Sequence, residues 1–148
     1  MFKRIVVGLD GSEMSETALR TACDLARNYQ SKIYVVHTPQ PHTVAFALGA
    51  VAGYHTVTTM PSMDEVKKAT DNILAKGREI AGEYGLEFAG TRSNRGNPVD
   101  EIIACAEECD ADLIVTGRRG LGSVGALIQG STSLGISHQA KCACLTVL

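Results

Sequence analysis

Residues 3–16 read KRIVVGLDGSEMSE, and the change of character at Asp10 decides the fold. Residues 3–9 are β-branched and apolar on both faces, as a strand in the middle of a parallel sheet requires. Ser12 then offers an N-cap, and Glu13 and Glu16 fall in the first turn, where the helix dipole favours acids. The stretch to about Tyr29 places Ala18, Ala22, Leu25, Ala26 and Tyr29 on the face expected to be buried. Strand, tight turn and helix together make the first half of a βαβ unit.

The same alternation continues along the chain. Residues 32–38 (KIYVVHT) predict a second strand. Residues 39–60 hold Pro39, Pro41, Gly49 and Gly53 around an apolar VAFALGAV. About 22 residues is long for a connection in a compact domain. Both a partner-contacting loop and a short buried helix fit it. Ser62 to Glu65 reads as a capping box. Val66, Ala69, Ile73, Ile80 and Tyr84 line one face of the helix behind it, which ends before Gly85. A third strand is expected near 86–93. Gly96-Asn97-Pro98 turns into a helix with Val99, Ile102, Ile103 and Ala106 inward. Residues 111–116 (ADLIVT) predict the fourth strand, a helix follows near 130–140, and 142–148 (CACLTVL) predict the fifth. Strands alternating with helices give an α/β domain with a parallel sheet and right-handed crossovers. Ligands of such sheets bind beyond the carboxyl ends of the strands, where the winding reverses.

With 148 residues the chain fits one domain, 1–148. Hydrophobic residues at 45% and a net charge of −2 describe a folded domain without the basic field that nucleic acid demands. After Asp112 there is no further acid, while Arg118, Arg119 and Lys141 remain, which suits an anionic ligand. The N-terminus lacks the apolar run of a signal peptide and no stretch is long enough for a membrane helix, so the expected location is the cytoplasm. Cys23, Cys105, Cys109, Cys142 and Cys144 are an odd number and read as free, partly buried thiols. Their spacings match no common structural zinc pattern.

Six of the fifteen glycines fall between Gly117 and Gly135, in GRRGLGSVGALIQGSTSLG. Glycines let backbone amides approach a ligand closely, and Gly130-Ser131-Thr132 opens a helix whose free amides suit phosphate. Residues 120–125 spell G-x-G-x-x-G, but that fingerprint belongs after a first strand, with an acid about 20 residues later. Here one strand remains and no acid follows, which excludes NAD and FAD. A Walker A loop needs Gly-Lys-Ser/Thr, and no lysine lies between Lys76 and Lys141.

The remaining reading is G-x2-G-x9-G-S, met by Gly117, Gly120, Gly130 and Ser131. With IVVGLDGSEMSETAL, GNPVDEII, ADLIVTGRRGLG and QGSTSLGISHQAKC in order, the whole chain resembles the ATP-binding branch of the universal stress proteins. That resemblance implies a Rossmann-like open sheet of five strands in the order 3-2-1-4-5, with helices on both faces. It implies an adenine nucleotide (ATP, ADP or AMP) with Mg²⁺ carried on the phosphates. Gly8, Leu9 and Asp10 would border the base and ribose, with Asp10 at the ribose hydroxyls. A carboxylate can accept from both hydroxyls. Capping the first helix is its competing role, though Ser12 already offers that cap. The backbone of Thr38 would read adenine, and Thr116 and Gly117 would line base and ribose. Arg118, Arg119, Gly120 and Gly122 would lead to the phosphates, which Gly130, Ser131 and Thr132 would hold.

The chain departs from the family at Gly8, where relatives often have proline, and in its Cys-Ala-Cys-Leu-Thr-Val ending. His37 and His138 tempt a catalytic reading, but neither has a Ser or Cys nucleophile spaced to partner it. The expected function is therefore a dimeric, nucleotide-binding regulatory protein of the stress response rather than an enzyme. A slow ATPase, or a phosphoryl or nucleotidyl transferase at the same site, is the alternative. The final strand is apolar and free of lysine, proline and acid. It is an unprotected edge, expected to pair with its twin in a homodimer.

Overall fold

A computed structural model describes residues 1–49, 61–121 and 130–148. Five strands, β1 (Arg4–Gly8), β2 (Lys32–His37), β3 (Phe88–Ser93), β4 (Leu113–Gly117) and β5 (Ala143–Val147), form one sheet in the order β3-β2-β1-β4-β5. All four neighbouring pairs are parallel. The expected five-stranded α/β sheet and its strand order are both present. The winding reverses at β1, which lies between β2 and β4, so the crevice falls beyond the carboxyl ends of β1 and β4.

The helices are α1 (Glu13–Tyr29), α2 (Pro41–Ala47), α3 (Met63–Glu83), α4 (Pro98–Glu108) and α5 (Ser131–Gln139). One face of the sheet packs Ile5, Val7, Val35 and Val115 against Ala18, Leu19 and Ala22 of α1 and Ile73 and Ile80 of α3. The other packs Val6, Val36 and Ile114 against Val99, Ile102 and Ala106 of α4 and Ile136 of α5. Consecutive residues of β1 thus serve opposite layers, which explains why its sequence is apolar without alternation. β3, on the edge, alternates between half-buried and exposed residues and begins later than expected, at Phe88.

Side-chain caps fix three helix starts. Ser12 accepts from the Ser15 amide, Ser62 and Glu65 form the reciprocal box, and Asn97 accepts from the Val99 amide. The first part of the segment after β2 forms a short helix, α2, which packs Val44 against Val66 and Ala69 of α3. Residues 50–60, including Gly53, lie outside the described residues. Tyr29 corrects the sequence expectation. It closes the last turn of α1 rather than filling the core, stays 42% exposed and packs edge-on against Phe2 with ring centroids 5.8 Å apart.

β5 is the second edge. The Arg118 amide donates to the Val147 carbonyl at 2.7 Å, so Val147 turns its backbone polar groups toward β4. Successive residues of a strand turn theirs to opposite sides, which leaves the amides and carbonyls of Cys144 and Thr146 facing outward.

Candidate functional site

The crevice begins where β1 runs out. Beyond the last ladder position the Leu9 amide still donates to the Val36 carbonyl at 2.9 Å. The Leu9 carbonyl takes a hydrogen bond from His37 Nδ1 at 2.8 Å. At the other end of the same peptide group, the Asp10 N–H donates to Ser15 Oγ at 3.3 Å. Gly11 has φ +85°, the left-handed conformation that returns the chain into α1 at least cost when the residue is glycine.

Asp10 is central to this turn. Its Oδ1 accepts from the Ser12 amide at 2.9 Å and from Ser12 Oγ at 2.5 Å. Ser12 Oγ in turn accepts from the Ser15 amide at 3.2 Å. Asp10 therefore holds the capping residue rather than capping the helix itself. Its Oδ2 faces the other way and accepts from the Leu121 amide, 111 positions on, at 3.1 Å. The two segments singled out in the sequence meet through this one carboxylate.

Close approach explains the glycines opposite. A β-carbon at Gly120 would collide with Asp10 Oδ2. At Gly117 it would stand 2.9 Å from Met14 Cβ and 3.0 Å from the Met14 carbonyl oxygen, and at Gly130 3.0 Å from the Arg118 carbonyl oxygen. That carbonyl anchors the start of α5, accepting from the Gly130 amide at 2.7 Å and from Ser133 Oγ at 3.1 Å. Gly130 is the N-cap of α5 and offers no side chain, and the first turn holds no acid. Unlike α1, α3 and α4, this helix presents its positive end without a side-chain cap or acid there.

Of the residues expected at the site, Asp10 meets Gly120 and Arg118 meets Gly130, whereas Gly117 packs on Met14 and Leu9 bonds Val36 and His37. Gly8 and Thr116 are neighbours on β1 and β4, with a β-carbon at Gly8 falling 3.5 Å from Thr116 Cγ2. Thr38 follows His37 off the end of β2 and is buried, its Oγ1 without a partner among the described residues. Ser131 and Thr132 occupy the first turn of α5. Arg119 is half-buried beside Arg118. Gly122 lies outside the described residues. Sequence reasoning passed over Ser15, which bridges the Asp10 amide and the Ser12 carbonyl. Spacing carries no signal for such a role.

His37 is fully buried, and burial pushes its imidazole below the usual histidine range, against the opposing effects of the Leu9 hydrogen bond and the Asp10 charge. Nδ1 therefore carries the proton and donates to Leu9. The five cysteines are free; burial pushes Cys23 and Cys105 up to about 11, so both are inert thiols at neutral pH.

A doubly wound α/β sheet with a glycine-rich segment after β4 and an uncapped helix start places the chain in a fold class whose members bind ligands beyond the carboxyl ends of their strands. Within that class the model of the universal stress protein family matches residues 1–147, and the chain belongs to that family. Universal stress protein YxiE of Bacillus subtilis is 33% identical over 150 residues, covering 99% of each chain. A universal stress protein from Archaeoglobus fulgidus superposes with a TM-score of 0.72 at 27% identity over 100% of both chains. A universal stress protein solved in complex with cAMP superposes with a TM-score of 0.69 at 27% identity, covering 99% of this chain and 97% of that one.

Proposed function

We propose that the protein binds an adenine nucleotide, ATP foremost, in the crevice beyond β1 and β4 and acts as a dimeric regulatory protein of the stress response. The observation that carries this reading is the meeting of Asp10 with Gly120 and Leu121, on the same segment whose Arg118 carbonyl anchors Gly130 at the start of α5. A carboxylate suited to sugar hydroxyls and a helix end suited to phosphate both lie beyond the carboxyl end of the sheet, as a nucleotide requires. The known binding of cAMP by a structural relative supports the adenine class. So do glycines that let the segment after β4 close onto Asp10 and the start of α5, and the buried Thr38 hydroxyl without a partner among the described residues.

In this reading Gly8 and Leu9 border the base, the Thr38 backbone meets its edge, and Thr116 and Gly117 line the base and ribose. Asp10 exchanges the Leu121 amide for a ribose hydroxyl. Arg118, Arg119, Gly120 and Gly122 lead to the phosphates, which Gly130, Ser131 and Thr132 receive. Mg²⁺ travels on phosphate oxygens and water, where it neutralises charge. Chain 1–148 acts as one cytoplasmic domain. Two copies join through β5, whose outward-facing groups at Cys144 and Thr146 are a template for antiparallel pairing. Mass spectrometry of the small molecules released from natively purified protein tests the reading. An adenine nucleotide near one per chain is expected; a ligand of another class would overturn it.

A further inference from the structure

His37 fills no ordinary core role. Its ring is fully buried, and its Nε2 has no hydrogen-bond partner among the described residues. A buried polar atom left unpaired is a cost, and an apolar side chain of similar size would avoid it. What the ring gains is the contact at its other nitrogen, 2.8 Å from the Leu9 carbonyl. That carbonyl lies one residue beyond the last β1–β2 ladder pair, Gly8 with Val36. Here the two strands part and the backbone loses its ladder partner.

The Leu9 carbonyl and the Asp10 amide belong to one rigid peptide plane. His37 holds one end of that plane and Ser15 Oγ the other, at 3.3 Å. The plane cannot swing without breaking one of the two bonds, and its orientation sets where the Asp10 carboxylate points. Asp10 then divides its oxygens between the capping residue Ser12 and the opposite loop at Leu121.

We infer that His37 is a positioning residue for the nucleotide site: its ring, donating from Nδ1, locks the Leu9–Asp10 peptide and so presents Asp10 to the ribose. This rests on the nucleotide reading of Asp10. It assigns His37 no contact with ligand and no part in proton transfer. Asparagine can present an amide N–H close to where Nδ1 stands, whereas leucine fills space and donates nothing.

The test compares binding of Mg·ATP and Mg·2′,3′-dideoxy-ATP by calorimetry in the wild type, His37→Leu and His37→Asn. Urea unfolding is run alongside to separate stability from placement. The wild type is expected to prefer ATP by about tenfold, the range of one charged hydrogen bond. His37→Leu should bind both ligands alike, at the wild-type affinity for the dideoxy analogue, and His37→Asn should recover most of the preference. Ribose preference retained in folded His37→Leu would overturn the inference and leave the nucleotide reading standing. A wild type that binds neither ligand would overturn the reading, and the inference with it. Should His37→Leu fail to fold, loss of the preference in a folded His37→Asn would equally overturn it.

Discussion

Replacing Asp10 by alanine separates the two jobs that the structure loads onto one carboxylate. Among the described residues it accepts from the Ser12 amide at 2.9 Å, Ser12 Oγ at 2.5 Å and the Leu121 amide at 3.1 Å. The first two belong to the turn and persist whether or not ligand is bound. Their loss strands a half-buried amide and should lower folding stability by about 1–2 kcal/mol, partly recovered because Ser12 still caps α1. The third is the exchangeable one. In the variant the Leu121 amide of the free protein turns to water, whereas a ribose hydroxyl buried under ligand is left without its charged acceptor. That unpaired group puts the cost of Asp10→Ala to ATP binding at about 1–3 kcal/mol, or roughly 5- to 150-fold in Kd. Calorimetry with Mg·ATP and with a 2′,3′-substituted analogue reads it, and urea unfolding reads the stability term. ATP should lose affinity while the analogue hardly changes. Equal losses for both ligands would show that Asp10 only builds the turn.

Gly130→Val should abolish nucleotide binding, since a β-carbon would already stand 3.0 Å from the Arg118 carbonyl that anchors α5; unchanged affinity by calorimetry in a folded variant would remove the phosphate assignment. Thr146→Pro should convert a dimer to a monomer by light scattering while β4–β5 pairing survives, because the Val147 carbonyl points to Arg118 and the Thr146 amide points outward. An intact dimer in that variant would relocate the interface. For His37 the folded-state pKa is depressed, so the unfolded chain binds the extra proton as pH falls through about 6.5. Stability by urea unfolding should therefore be full above that pH and decline below it, over a range where carboxylates remain ionised. His37→Asn should flatten the decline, and an unaltered pH profile in that variant would assign the loss to other groups.

The architecture was readable because the central strands are apolar on both faces and two of the longer helices begin with recognisable caps. Ser12 and Ser62 cap where the sequence places them, and Asn97, in the expected turn, caps α4 as well. Edges were read less well. β3 has the alternating, half-exposed pattern of an edge and starts at Phe88, and Tyr29 sits at a helix end where periodicity still counts it as core. Gly117, Gly120 and Gly130 stand out in the sequence by the G-x2-G-x9-G-S spacing, and the family resemblance it carries put them at one site with Asp10. The pinning of the Leu9–Asp10 peptide was not legible, because it joins residues 9, 15 and 37 through groups whose partners only the folded sheet supplies. Asp10 was weighed between cap and ligand; in the fold it supports the cap through Oδ1 and turns Oδ2 toward the opposite loop.

The central claim is that an adenine nucleotide occupies the crevice where Asp10 meets the glycine-rich segment. Titrating ¹⁵N-labelled protein with Mg·ATP and following backbone amide shifts tests ligand and location together. The account predicts saturable shifts concentrated at residues 8–12, 38, 116–121 and 130–132, with the Leu121 amide among the largest because its bond to Asp10 is exchanged. Saturable shifts centred elsewhere, or no shifts at millimolar Mg·ATP, would contradict it.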